Sequence, residues 1–340
     1  MAVGQEVWLT AILDVREGKG ANMKLVFLER KNLGEDLDFS CFDEFGEVVS
    51  YDTSTIEEAK ERMKDAEIVL INKIPMNRET MADAKKVRLV CVTATGTNNV
   101  DFDYMRERGI TVTNVSGYST PTVAQHTFAL YFYLMEHLSY YDEYVRSGEY
   151  EKSELFTHFA MPFHDLAGQT WGIAGLGAIG RKVAQIATAF GADVIYYSTS
   201  GKNCNAGYRQ VDFDTLLAES DIISVHAPLP PETNGLFDKK AFEKMKKNAY
   251  FLNLGRGPIV VEKDLAWAIK NGEIAGAGLD VLSAEPMQND NPLAKLKDMP
   301  NLVITPHVAW ASKEARKRLV DMLYENIRCF LAGEHGPNEL

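Results

Sequence analysis

Along this chain, short apolar runs alternate with polar stretches of helix length. LVFLE, EVVSY, IVLIN, VRLVCVTAT and TVTNV form a first set of apolar runs, and TWGIAG, ADVIYYS, DIISVHA, AYFLNLG, AGAGLDV and NLVITP form a second. Runs this short, separated by helix-length segments, predict parallel strands joined by crossover helices. The two sets therefore predict an α/β chain with two doubly wound domains.

A long apolar segment, PTVAQHTFALYFYLMEH from Pro121, lies between the sets. The domain boundary is expected near GYST, where Thr120 caps a helix that Pro121 starts at its first position. Gln125, His126 and Glu136 interrupt the segment, so it falls short of the roughly 20 apolar residues that span a bilayer. It reads as a helix buried within one chain or lying in a contact between copies, because apolar residues surround it on all sides. After Trp310, Ala315, Leu319, Met322, Leu323 and Ile327 recur at helical spacing up to Gly333. A helix there would carry the chain back to the first domain. The expected domains are 23–118 with 312–340, and 119–311. Residues 1–22 contain VWLTAIL with no basic region before it and no small-residue cleavage site, so no signal peptide is expected. They are set aside as an extension, because Met23 opens the first strand-like run.

Composition changes this picture little. The chain has 340 residues, 46% of them hydrophobic and 25% charged, which suits two ordinary globular domains. A net charge of −12 argues against nucleic-acid or anionic-membrane binding. Cys41, Cys91, Cys204 and Cys329 are far apart with no C-x-x-C pair, which fits a reducing compartment and makes the bulk cytoplasm the expected location. The seven histidines show no H-E-x-x-H or comparable spacing, so no metal site is expected.

Candidate chemistry begins at TWGIAGLGAIGRKVAQIA, which reads strand, Gly175-x-Gly177-x-x-Gly180, helix. In that context the first glycine permits a tight turn, the second lets a pyrophosphate approach the backbone, and the third lets helix and strand pack closely. The helix start offers N–H groups and a positive dipole end to phosphates. Dinucleotide sites usually place an acidic residue about 20 positions on, to hold ribose hydroxyls. Ser198 stands there, followed by Thr199, Ser200 and Lys202. Two readings stand: hydroxyls and a lysine that hold the 2′-phosphate of NADP, or loop residues beside NAD.

Open parallel sheets bind ligands at the carboxyl ends of their strands. Arg256 follows AYFLNLG, Glu285 follows GLDVLSA, and His307 follows NLVITP. A guanidinium grips a carboxylate through two hydrogen bonds and polarises an adjacent carbonyl. An imidazole exchanges the proton that accompanies hydride transfer, and a carboxylate beside it fixes its orientation. These parts suit reduction of a small 2-oxo acid by a nicotinamide.

From Met23 on, the residues resemble the D-isomer-specific 2-hydroxyacid dehydrogenase family. The resemblance rests on VTATGTNNVD, STPTVAQHTFAL, GLGAIG, HAPLPPET, NLGRGPIV, GLDVLSAEP and PHVAW, in that order. It implies a Rossmann-type nucleotide-binding domain (119–311) and a flavodoxin-like substrate domain. It also implies Arg256, Glu285 and His307 as substrate-binding, orienting and acid/base residues, and Thr95, Gly96 and Thr97 as holders of the substrate carboxylate. Ala178 and Ile179 would meet the pyrophosphate, Ala227, Pro228 and Thr233 would flank the adenosine, and Asp280 would bond the nicotinamide amide. Leu254 and Gly255 precede Arg256 within the same cofactor segment. The alternatives are that Asp280 merely ends a strand and that Thr233 caps a helix. The pattern is most similar to the glycerate dehydrogenase and hydroxypyruvate reductase branch, and the family implies a homodimer. Two rival readings are the same chemistry on D-lactate or another D-2-hydroxy acid, and a nucleotide-sensing binding protein of the corepressor type.

Overall fold

The computed structural model describes residues 23–201 and 207–340. The extension 1–22, Lys202 and Cys204 lie outside the described residues. The chain divides into two compact units: the described residues up to Tyr118 together with Lys313–Leu340, and Ser119–Ser312. Ser312, expected with the first unit, falls in the second, where its hydroxyl hydrogen-bonds that of Thr122 at 2.9 Å.

The first unit holds β1 (Met23–Phe27), β2 (Gly46–Ser50), α1 (Ile56–Arg62), β3 (Ile68–Ile71), β4 (Leu89–Val92), α2 (Phe102–Arg108) and β5 (Thr111–Thr113). Its strands are parallel, in the order β2-β1-β3-β4-β5, the flavodoxin-like arrangement. β3 and β4 are buried throughout, as expected of parallel strands covered on both faces. Thr55 caps α1 with a capping box to Glu58.

The second unit contains α3 (Thr120–Met135), α4 (Leu138–Arg146), β6 (Thr170–Ala174), α5 (Ala178–Ala189), β7 (Asp193–Tyr197), β8 (Arg209–Gln210), α6 (Phe213–Glu219), β9 (Ile222–Val225), α7 (Lys239–Lys244), β10 (Tyr250–Asn253), α8 (Glu262–Asn271), β11 (Gly276–Leu279) and β12 (Leu302–Ile304). Its parallel sheet runs β12-β11-β10-β9-β6-β7-β8. Counted from β6, this is the Rossmann order 3-2-1-4-5-6 with one strand added. The order reverses between β6 and β9, so a ligand crevice is expected at their carboxyl ends.

α3 starts one residue earlier than expected. Ser119 is its N-cap, Thr120 is its first residue, and no side chain caps it. The helix buries eight of its sixteen residues, including Phe128, Tyr131 and Leu134, and packs against α5, β10 and β11. Tyr131 and Phe128 lie against the fully buried Trp171. Each large side chain buried there contributes about 1.5–3 kcal/mol. One face of α3 is therefore covered inside its own unit, while Tyr133 on the same helix stays 39% exposed. More exposed apolar side chains follow in the same unit, among them Val145, Leu155, Phe156, Phe159 and Phe163, with Phe156 90% exposed.

The helix expected after Trp310 is α9 (Lys313–Ala332), followed by Gly333 at φ +69°. It packs against β4 within the first unit.

Candidate active site

At the end of β6, Gly175 adopts φ +96°, a left-handed conformation that favours glycine. A Cβ there would lie 3.0 Å from the backbone of Ala227, so the ends of β6 and β9 nearly touch. A Cβ on Gly180 would come within 2.3 Å of the Gly175 oxygen, which fits its expected role in close helix–strand packing. Gly177 faces open space, with nothing within 4 Å of where its Cβ would be. It is the N-cap of α5 and gives no side-chain cap to that first turn, where Ala178 is exposed and Ile179 half-buried. An open glycine at an uncapped helix start is a fitting cradle for a pyrophosphate.

Two buried polar groups on either side of this turn have no hydrogen-bond partner among the described residues. Ser198 Oγ lies at the end of β7, where Thr199 is half-buried, and both ring nitrogens of His226 lie at the end of β9. Burial pushes the His226 pKa down to about 3, so the ring is neutral at physiological pH. Leaving such groups unsatisfied costs about 1–3 kcal/mol each, which a polar ligand at these strand ends would recover. Ala227 follows His226, with Pro228 next to it. Thr233 does not cap a helix: it is buried in a short 3-10 turn (Pro231–Thr233), its hydroxyl donates to the Pro228 oxygen at 2.9 Å, and Asp238 caps α7. These donors and acceptors fit a dinucleotide.

The Arg256 turn is organised by a residue that the sequence did not single out. Buried Asn253 accepts from the Gly255 N–H at 3.1 Å and donates to the Arg256 oxygen at 3.0 Å. Leu254 is buried ahead of Gly255, and a Cβ on Gly255 would lie 2.9 Å from the Ala227 oxygen. Arg256 is half-buried, and its Nη1 donates to the Gly255 oxygen at 2.8 Å.

Glu285 and His307 meet. His307 Nδ1 and Glu285 Oε2 are 2.7 Å apart, with both side chains about one third exposed. Glu285 Oε1 accepts from the Leu282 N–H at 3.0 Å, so the carboxylate is itself oriented. With Nδ1 engaged by Glu285, any proton exchange by the ring would use Nε2. His307 has φ +54°, and its N–H donates to the Thr305 oxygen. Arg256, Glu285 and His307 thus follow β10, β11 and β12, three strands adjacent in the sheet.

Asp280 does more than end β11. It is buried, and it accepts from the Thr305 hydroxyl at 2.6 Å and from the N–H groups of Val308 and Ala309, each at 2.9 Å. His126 on α3 lies 3.0 Å from Thr305 Oγ1. His226, Asn253 and His126 had not been expected in the site. For His226, its position directly after a strand was the available signal.

In the first unit, Thr95, Gly96 and Thr97 follow β4. The Thr95 hydroxyl donates to the Val115 oxygen, Asn114 Nδ2 donates to the Thr95 oxygen, and the Val100 N–H donates to the Thr97 oxygen. Gly96 and Thr97 are half-buried, and their backbone N–H groups suit a carboxylate.

Residues 128–309 match the profile of the D-isomer specific 2-hydroxyacid dehydrogenase, NAD binding domain. The chain is 40% identical over 312 residues to a glycerate dehydrogenase of Methylorubrum extorquens, covering 92% of this chain and 97% of the relative. It is also 40% identical over 321 residues to a hydroxypyruvate reductase of Blautia hydrogenotrophica, covering 92% and 98%. Among solved structures, a D-lactate dehydrogenase from Aquifex aeolicus, complexed with NAD and lactic acid, superposes with a TM-score of 0.80 at 25% identity, covering 92% of this chain and 96% of that one.

Proposed function

We propose, since this chain belongs to the D-isomer-specific 2-hydroxyacid dehydrogenase family of nicotinamide-dependent oxidoreductases, that it reduces hydroxypyruvate to D-glycerate and glyoxylate to glycolate. The observation that carries the chemistry is the 2.7 Å His307–Glu285 pair at the carboxyl edge of the nucleotide-binding sheet. The two near-full-length relatives named above support the choice of substrate. When bound, the nicotinamide supplies the hydride to the 2-oxo carbon. His307 gives its Nε2 proton to the oxygen that becomes the hydroxyl, while Glu285 holds the ring in place and balances the imidazolium. Arg256 grips the substrate with its two-pronged guanidinium. Backbone N–H groups of the Thr95–Thr97 loop are assigned to the substrate carboxylate.

The dinucleotide is assigned to the open Gly177 cradle, with Ser198 and Thr199 toward the ribose. No carboxylate at the end of β7 repels a 2′-phosphate, so NADPH is admitted as well as NADH. Cytoplasmic residence belongs to the same proposal and is supported by the free thiols of Cys41, Cys91 and Cys329.

Oxidation of NADH and NADPH at 340 nm, with hydroxypyruvate, glyoxylate, pyruvate and phenylpyruvate in turn, tests the reading. Hydroxypyruvate should give the highest kcat/KM. Preference for pyruvate would move the assignment to D-lactate chemistry, which the superposed D-lactate dehydrogenase makes the nearest competitor.

We also assign a homodimer, formed through the aromatic surface of Leu155, Phe156, Phe159 and Phe163 instead of α3. Phe156, Phe159 and Phe163 line one pocket with Tyr141, Tyr144 and Val145, and large apolar side chains this exposed mark an interface. Sedimentation equilibrium should give twice the chain mass, and Phe156→Asp/Phe159→Asp should give the monomer. A wild-type monomer at micromolar concentration would refute the assignment.

A further inference from the structure

We propose that His126, acting through Thr305 and Asp280, is a positioning residue that holds His307 in its working orientation. This inference rests on His307 being the proton donor.

Counting protons along the three groups fixes the direction of the hydrogen bonds. As a carboxylate, Asp280 only accepts, and it takes two backbone N–H groups, one on each oxygen. The single Thr305 hydroxyl proton goes to Asp280 Oδ1 at 2.6 Å, a short distance typical of a charge-assisted bond. Thr305 Oγ1 is then an acceptor toward His126, 3.0 Å away, and the hydrogen between them must sit on His126 Nε2. His126 Nε2 also lies 3.6 Å from Oδ1 of the buried Asp280, so a hydrogen on that atom faces the carboxylate as well.

The far end of this chain is the His307 loop. The two N–H groups clamped by Asp280 belong to Val308 and Ala309, immediately after His307. His307 is held at φ +54°, a region that non-glycine residues seldom occupy, so it needs such a clamp to stay there. The loop is pinned from its other side by the Glu285 carboxylate. Removing the His126 donor leaves Thr305 Oγ1 free to turn toward the Leu279 oxygen, already 3.4 Å away, which weakens its bond to Asp280. α3 thereby influences the proton donor without touching substrate.

The test compares His126→Leu, His126→Gln and Thr305→Val in the full-length protein. His126→Leu should lower kcat for hydroxypyruvate about tenfold, the scale of one lost hydrogen bond, and change the dinucleotide KM less than kcat. His126→Gln places an amide N–H where Nε2–H stands and should recover most of that loss. The double variant His126→Leu/Thr305→Val should be no slower than Thr305→Val, because the two residues act in series. Unchanged kcat in His126→Leu, a Gln variant as slow as Leu, or additive losses would overturn the proposal. A readout independent of turnover separates it from the functional reading: imidazole 15N NMR should show His126 protonated on Nε2. An unprotonated Nε2 sinks the positioning chain even in an active enzyme. Protonated Nε2 in a protein inactive on every 2-oxo acid would leave the bond chain standing and remove its catalytic meaning.

Discussion

His307→Gln should reduce kcat about 10²- to 10⁴-fold, the range for loss of a general acid/base group, while dinucleotide affinity stays within a few-fold of wild type. Glutamine preserves polarity and approximate length, and at φ +54° it meets the same backbone restriction as histidine. What it cannot do is exchange a proton near neutral pH. Nor does it offer an Nδ1 partner for Glu285, which lies 2.7 Å from that atom in the native pair. The cradle at Gly175, Gly177 and Gly180 spans the turn after β6 and the start of α5, and no hydrogen bond among the described residues joins it to His307, so binding and chemistry should separate cleanly. The measurement pairs steady-state kcat with a titration of NADH fluorescence. Intact binding with unchanged kcat would remove His307 from proton transfer and leave its pairing with Glu285 without a catalytic purpose.

The parallel strands were legible because burial on both faces makes them continuous apolar runs. IVLI in β3 and IISV in β9 are buried at every position. β8 was missed because its two residues, Arg209 and Gln210, are exposed at the sheet edge and carry no apolar signal. An apolar helix such as α3 looks the same in sequence whether its cover comes from its own unit or from another copy; packing alone places Trp171 and Tyr250 against Tyr131. The placement of Arg256, Glu285 and His307 in the loops after β10, β11 and β12 was readable because each loop follows a recognisable strand and matches a family motif. His126 was not, since its partner Thr305 is 179 positions away and only the packing of α3 joins them. Asn253 was hidden for another reason: inside AYFLNLG it looks like one polar residue in a strand, and its two bonds to the Arg256 turn depend on backbone geometry. Legibility thus followed local pattern and failed where residues of the candidate site are joined by tertiary hydrogen bonds.

Gly257→Ala should be as damaging as loss of a catalytic group, although residue 257 touches no substrate in the proposed reaction. A Cβ at Gly257 would lie 1.9 Å from the Leu282 carbonyl carbon, 2.0 Å from its oxygen and 2.4 Å from the Ser283 nitrogen. All three are backbone atoms, so no side chain can rotate away to relieve the overlap. That backbone is also tied down: the Leu282 N–H donates to Glu285 and the Ser283 N–H to Glu262, which in turn accepts from Asn291. The Arg256 turn and the Glu285 segment must therefore separate. Overpacking costs about 1–3 kcal/mol even where side chains adjust, so this collision should cost about 3 kcal/mol or more. For a unit of this size that corresponds to a fall of roughly 6–12 °C in melting temperature. Turnover should fall with it, because Arg256 and Glu285 lose their common alignment. Gly177→Ala is the contrasting case. With φ −78° and open space around the new methyl group, it should melt with wild type and lose dinucleotide affinity alone. Thermal unfolding and NADH titration of both variants test the contrast. A Gly257→Ala protein with wild-type melting and kcat would show that the two segments can part without cost, and that their contact does not align the site.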